Sequence, residues 1–411
     1  VPVDSGDTTW ILISAALVML MTPGVSLFYG GMVRRKNVLS TMMMSFAILG
    51  VIALLWVLYG YSFAFAPQGN SFIGGLGFLG LNGVGQGPSG IYATTVPHLA
   101  FMVYQGMFAI ITVALITGAV VERIKFSSLL LFSVLWFTIV YCPVAHWVWG
   151  QGGWLGGLGT IDFAGGIVVH ITAGASALAL VKVLGPRKDY LEGKPMVAHN
   201  IPMIAIGAAL LWFGWFGFNG GSALTAGGLA SNAFVTTNIA GASGAVTWMI
   251  ISWVQRKPTL IGVTTGAIAG LAAITPAAGY VTPLAAIPIG IVSSIIGYYC
   301  IIFRNNRRID ESLDVWAVHG MGGTWGVLAA GLFASSAINP AGPDGAIFGD
   351  GMQFVNQLAG AASVFGYSFG ITLGLSKLVD KITGLRVSEH EETVGLDIAQ
   401  HSETAYGGFL R

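Results

Sequence analysis

The sequence predicts an all-α polytopic membrane protein: eleven transmembrane helices in a 5+5 inverted repeat plus one extra helix, N-terminus out and C-terminus in. Three observations carry this. The 411-residue chain has a mean hydropathy of +0.77 and only 9% charged residues, where a soluble domain carries about 25%. Eleven apolar stretches can be read along it, each near the roughly 20 residues a helix needs to cross a bilayer core. Lys and Arg fall only at or beyond the ends of odd-numbered stretches.

The stretches run approximately over residues 8–32, 39–66, 99–121, 127–147, 161–183, 201–218, 229–254, 260–278, 284–303, 315–337 and 354–379. Arg34, Arg35 and Lys36 follow the first, and Arg123 and Lys125 the third. Lys182, Arg187, Lys188 and Lys194 follow the fifth, Arg256 and Lys257 the seventh, and Arg304, Arg307 and Arg308 the ninth. Lys377, Lys381, Arg386 and Arg411 close the chain, while connections after even-numbered stretches hold no Lys or Arg. Basic residues stay in cytoplasmic loops, so this alternation sets the orientation and would be scrambled by a miscounted span. Ten spans divide as five plus five, and an odd number per half inverts the second half. The expected organisation is a transmembrane domain over residues 1–380, with half-repeats at about 8–184 and 199–338 and an eleventh helix at about 352–380. Residues 381–411 then form a cytoplasmic tail. The chain begins at Val1, as expected after removal of a signal peptide or for a shortened chain.

Composition also excludes function classes. A formal net charge of +1 gives no field for nucleic acid. Cys142 and Cys300 sit inside apolar runs and suggest neither a disulfide framework nor a zinc site. The 60 glycines have no three-residue period and suit close helix packing in lipid.

The chemistry concentrates on two histidines. The fifth and tenth spans, equivalent in the repeat, each open with an aspartate followed by one histidine, Asp162-FAGGIVV-His170 and Asp314-VWAV-His319. At 1.5 Å per residue His170 lies roughly 12 Å and His319 roughly 8 Å along its helix, from opposite faces, so crossing helices bring the imidazoles together. Intramembrane ionisable residues are costly and mark function; the alternative is a pair that only locks two helices. His98 and His146 at outer ends, His199 in a loop, and His390 and His401 in the tail look ordinary. Asp162 is expected to cap its helix, and Asp314, with Asp310 and Glu311, to do the same for the tenth.

Long strings across nearly the whole chain resemble the Amt/Mep/Rh ammonium transporter family, in its bacterial and archaeal Amt branch. They include TPGVSLFYGGMVRRKNVLS, ERIKFSS, AHWVWGQGGWL, DFAGGIVVHITAG, WFGWFGFNGGSA, GAIAGLAAITPAAGY, DVWAVHGMGGTWG and GLRVSEHEETVGLD. The resemblance implies an outer cation site lined by Trp149, Tyr104 and Ser222, with Phe108 and Phe218 as a hydrophobic gate beneath it. Below them His170 and His319 would be the family's twin-histidine pair, with Asp162 as structural support and Thr275 as a polar lining group. Tyr104 stands where other members often have phenylalanine. An ammonium ion offers only charge, size and four donors, so an aromatic cage and a hydroxyl acceptor suit it, cation–π attraction contributing up to about 2 kcal/mol. A bare cation crosses an apolar constriction at high cost whereas neutral ammonia passes readily, so deprotonation above the histidines is expected.

The resemblance further implies a homotrimer, a tail packed beneath the pore against a neighbouring subunit, and a PII-type signalling protein on the cytoplasmic side. No cofactor, metal or enzymatic activity is expected. Gly241-Ala242-Ser243-Gly244 matches a short serine-nucleophile pattern, but such strings arise easily among so many glycines. A metal centre lacks a third ligand beside the histidines. The alternative is an ammonium sensor of the same fold, coupled to a cytoplasmic signalling module beyond TAYGGFLR.

Overall fold

A computed structural model describes residues 2–407. Arg411 and its neighbours from 408 onward lie outside the described residues. The helices are α1 Ser5–Met32, α2 Arg35–Phe65, α3 His98–Val120, α4 Phe126–Leu158, α5 Gly166–Leu184, α6 Ile201–Ala223, α7 Gly228–Gln255, α8 Leu260–Ile274 and α9 Pro283–Asn306. Then come α10, with turns Trp316–Met321 and Gly322–Phe333, α11 Gly351–Thr383, and two short tail helices, α12 Glu389–Val394 and α13 Leu396–His401. Nine of these, among the described residues, are long and apolar enough to cross a membrane. The eighth and tenth are shorter than the sequence suggests, because α8 gives way to a turn at Thr275 and α10 ends at Phe333.

Large apolar side chains stay exposed around the bundle, including Leu54 on α2, Trp253 on α7, Leu284 on α9 and Leu358 on α11. Water would penalise such a belt, while hydrocarbon accepts it. Inside, polar side chains act as interhelical ties, the role they take where lipid supplies no hydrophobic drive between helices. Trp136 on α4 donates its indole N–H to Ser176 of α5 at 2.8 Å and to Thr372 of α11 at 3.0 Å. Gln357 of α11 donates to the carbonyls of Ile161 and Val327 and accepts from the Ile161 amide. α11 therefore holds the segments leading into and along both histidine-bearing helices.

The α2–α3 connection carries a small hairpin, β1 Pro88–Ser89 paired with β2 Ala93–Pro97, that the sequence reading did not foresee. On the opposite side the tail is stitched into the loops. The Lys125 amide donates to Leu385 at 2.8 Å, the Val387 amide to Arg123 at 3.0 Å, and the Leu396 amide to Asn37 Oδ1 at 2.8 Å. Asp397 accepts from the Ser40 amide at 2.8 Å, so a tail carboxylate caps the first turn of α2 from outside that helix.

Candidate functional site

Both histidine helices begin with a π turn, Gly166–Ile171 in α5 and Trp316–Met321 in α10, and each histidine sits within it. The His170 amide bonds back to the Gly165 carbonyl, five residues behind. Such single turns recur at functional sites because they widen and re-aim one helical turn. A carboxylate fixes each start. Asp162 accepts four amides, from Gly165, Gly166, Ile167 and Val168, at 2.7–3.1 Å. Glu311 accepts the amides of Val315 and Trp316, both at 3.1 Å.

This corrects the expectation for Asp314. Its φ of 64° lies in the left-handed region, and its carboxylate bonds to Arg304 at 2.7 Å. The side-chain cap comes instead from Glu311, three residues earlier. Burial pushes the Glu311 carboxyl up to about 7, against the pull of Arg304.

The two helices cross where Gly174 meets Gly320. A Cβ on Gly174 would stand 2.2 Å from the Gly320 Cα, so no larger residue fits there. The crossing sets His170 Nδ1 3.2 Å from His319 Nδ1, with ring centroids 5.2 Å apart and planes 25° apart. Both rings are buried. An N–H···N bond needs one proton between the two nitrogens, so one Nδ1 donates and the other accepts. His170 Nε2 is enclosed and has no hydrogen-bond partner among the described residues.

Above His170, Trp215 and Phe218 lie at centroid distances of 5.5 and 6.0 Å, nearly parallel to its ring. Phe218 meets Phe108 at 4.4 Å, and Phe108 meets Trp149 edge-on at 6.0 Å. Phe108 and Phe218 are buried, and Phe108 also lines an outer cavity of about 430 Å³. Trp149, Ser222, Gln105 and Asp162 line that cavity. The Trp149 indole is pinned by a 2.8 Å bond to the Asp162 carbonyl. Below His319 a space of about 60 Å³, lined by Tyr29, Thr265 and Val318, adjoins a vestibule of about 190 Å³; both share Leu313 and Asp314.

Two expected lining residues stand one layer back. Tyr104 is fully buried and is not among the residues lining the outer cavity. Its hydroxyl lies 2.9 and 2.8 Å from the Gly217 and Phe218 carbonyls and 3.1 Å from Ser222 Oγ, so it holds the end of α6 and the serine. Thr275 is also fully buried, and its hydroxyl accepts the Trp215 indole N–H at 2.9 Å. It therefore orients the ring over His170. Trp215 was missed in the sequence, where its period within an apolar helix reads as ordinary core.

The inner vestibule is ringed by paired charge. Glu122 accepts from Arg187 at 2.8 Å and from Arg34, and Arg187 also makes a fork to Asp310 at 2.7 and 2.9 Å. Burial alone would raise the Glu122 carboxyl, but Arg187 and Arg34 hold it down at about 2.

The profile of the Ammonium Transporter Family matches residues 9–406. The Ammonium transporter of Bacillus subtilis (strain 168) is 50% identical over 403 residues, 98% of this chain and 98% of that protein. Ammonium transporter Amt1 of Archaeoglobus fulgidus is 51% identical over 403 residues, 98% of this chain and all of that one. Among solved structures, Mep2 of Candida albicans superposes with a TM-score of 0.90 at 39% identity, covering 98% of this chain and 91% of that one. A structure described as a Sensor Amt Protein superposes with a TM-score of 0.88 at 31% identity, covering 96% and 98%. The matched family and the two sequence relatives are ammonium transporters, a non-enzymatic class, and the long apolar helices fit a multi-pass plasma membrane protein. The chain belongs to the ammonium transporter family.

Proposed function

We propose that the chain carries ammonium across the membrane by recruiting the cation in the outer cavity, where above the gate it gives one proton to solvent water, and passing ammonia along the histidines. The observation that supports this reading is the buried His170–His319 pair, with a small space beside His319 on one side and, on the other, the Phe108–Phe218 contact, whose Phe108 lines the outer cavity. His170 Nε2, buried without a protein partner, is the kind of orphan acceptor or donor that a passing hydrogen-bonding substrate satisfies. Trp149 presents an aromatic face and Ser222 a hydroxyl to the cation. The Ser222 proton goes inward, toward the Phe218 carbonyl at 2.9 Å or toward Tyr104, leaving oxygen lone pairs for the ligand.

Desolvated, a cation–π contact contributes up to about 2 kcal/mol, which concentrates the ion tens-fold. The apolar gate then rejects charge, since a bare cation in such a constriction loses its solvation without a counter-charge. Methylammonium, as a slightly larger analogue, fits the same cavity. Uptake of labelled methylammonium into liposomes holding the purified protein tests the reading; absence of saturable uptake refutes it.

The second reading is an ammonium sensor, favoured by the 31% identical Sensor Amt structure. It predicts ammonium binding without flux. Trimer assembly, subunit coupling through residues 381–411 and docking of a PII-type protein against the cytoplasmic loops belong to the same proposal.

A further inference from the structure

One histidine outside the pore has hydrogen bonds that determine its charge. His146 lies near the outer end of α4, three residues before Trp149, and is completely buried. Its Nδ1 is 2.9 Å from the Ala64 carbonyl oxygen at the end of α2, and its Nε2 is 2.8 Å from the Asn70 carbonyl oxygen in the following loop. Carbonyl oxygens only accept. A neutral imidazole has one N–H and one bare lone pair, so either neutral tautomer sets a lone pair against a carbonyl at bonding distance. Only the imidazolium donates to both.

We propose that His146 stands as an imidazolium, a positioning residue whose two opposed N–H groups clamp the outer end of α4, and with it Trp149, to α2 and the outer loop. This rests on the reading of Trp149 as the recruiting face. The surroundings leave no easy substitute for either bond. A Cβ on Gly150 would stand 2.3 Å from His146 Nδ1 and 2.6 Å from the Ala64 oxygen, so the chain closes tightly over that side. The acceptor loop is itself rigid: Asn70 Oδ1 takes the Phe72 and Ile73 amides, and Trp147 donates to the Phe72 carbonyl at 2.8 Å. One residue beyond Val148, Trp149 is tied to Asp162, so the clamp and the cavity wall are one continuous unit.

Neighbouring titratable groups are engaged elsewhere. Tyr61 of α2 bonds to His98 of α3, Tyr92 of the outer loop donates to the Phe65 carbonyl, and the Asp162 carboxylate ahead of α5 is taken by four amides. The charge on His146 is thus compensated by two carbonyl dipoles.

Histidine-selective nitrogen-15 labelling and solid-state NMR of the full protein in liposomes read this directly. The His146 signals are assigned by their loss in His146→Gln or, if that variant does not insert, by correlation to Ala145. Two protonated ring nitrogens at neutral pH are expected, and a neutral tautomer overturns the proposal whatever the protein transports. The positioning role is read from the kinetics of methylammonium uptake. Relative to wild type, His146→Gln, whose single carboxamide nitrogen cannot donate in the imidazolium's two opposed directions, should show a KM raised about tenfold, turnover changing less. An unchanged KM in His146→Gln, or a fall in turnover as large as the rise in KM, overturns the positioning role. Unchanged affinity in Trp149→Leu instead sinks the recruitment reading and leaves the NMR result standing.

Discussion

A carboxylate eight residues ahead of each of the two facing histidines is the smallest feature that organises the site: Asp162 before His170 and Glu311 before His319. The equal spacing was present in the sequence, but Asp314 drew attention because it repeats the residue type of Asp162. Backbone conformation decided otherwise, since the left-handed turn at Asp314 sends its carboxylate to Arg304. Tyr104 and Thr275, which the resemblance implied as lining groups, are fully buried, their hydroxyls bound to the end of α6 and to the Trp215 indole, because a motif match gives a position in the chain and not a depth. Glu311 also carries a pH signature. Its folded carboxyl is raised to about 7, so the folded protein binds this proton more tightly than the unfolded chain does. Stability from this group is therefore present at low pH and declines as pH rises toward 7, by on the order of 2 kcal/mol. Glu311→Gln keeps an acceptor for the Val315 amide and removes the titration, so its thermal midpoint should vary less than wild type between pH 5 and pH 7, a range set by the linkage. Parallel curves would show that Glu311 is ionised throughout. At the outer cavity, Trp149→Leu keeps an apolar residue but loses the aromatic face. Ammonium affinity should fall up to about thirtyfold, with poorer discrimination against potassium, in competition assays of methylammonium uptake.

Among the elements, the long apolar helices were legible because composition and length suffice for them. The π turns were not, since nothing in apolar periodicity distinguishes five-residue from four-residue hydrogen bonding across one turn. The short α8 and α10 were overread for a related reason: apolar residues continue past Thr275 and Phe333 into buried turns that still need no water. The tail shows the opposite error of composition. Its acidic sequence reads as a solvated end, yet Glu392 and Asp397 are buried, Glu392 bonding to the Lys188 amide at 2.7 Å and to Arg386 at 2.7 Å. Ending the chain after Gly384 removes the cap on α2 and these loop contacts, while leaving every membrane-length helix in place. Insertion should persist, with transport lowered or deregulated; wild-type transport kinetics in the shortened protein would make the tail dispensable. Asp397→Ala isolates the cap and should cost about 1 kcal/mol, read as a lower thermal midpoint in detergent.

For the whole molecule, the alternation of basic residues puts the loop over residues 71–95 outside and Lys188 inside. Single-cysteine labelling in intact cells checks this: Lys188→Cys should resist an impermeant reagent applied from outside, and its labelling would reverse the orientation. In the proposed pairing of inverted half-repeats, equivalent helices reach the membrane centre from opposite sides, which would make two distant histidines one unit. Carrier and sensor share all of this architecture, so geometry does not divide them and conduction does. Purified protein in liposomes, given an inward ammonium gradient, should pass ammonium or ammonia at a rate that saturates and that falls at least about tenfold in His170→Ala and His319→Ala variants that still insert. Binding of ammonium with no flux above protein-free liposomes, or undiminished flux and selectivity in both variants, would contradict the account.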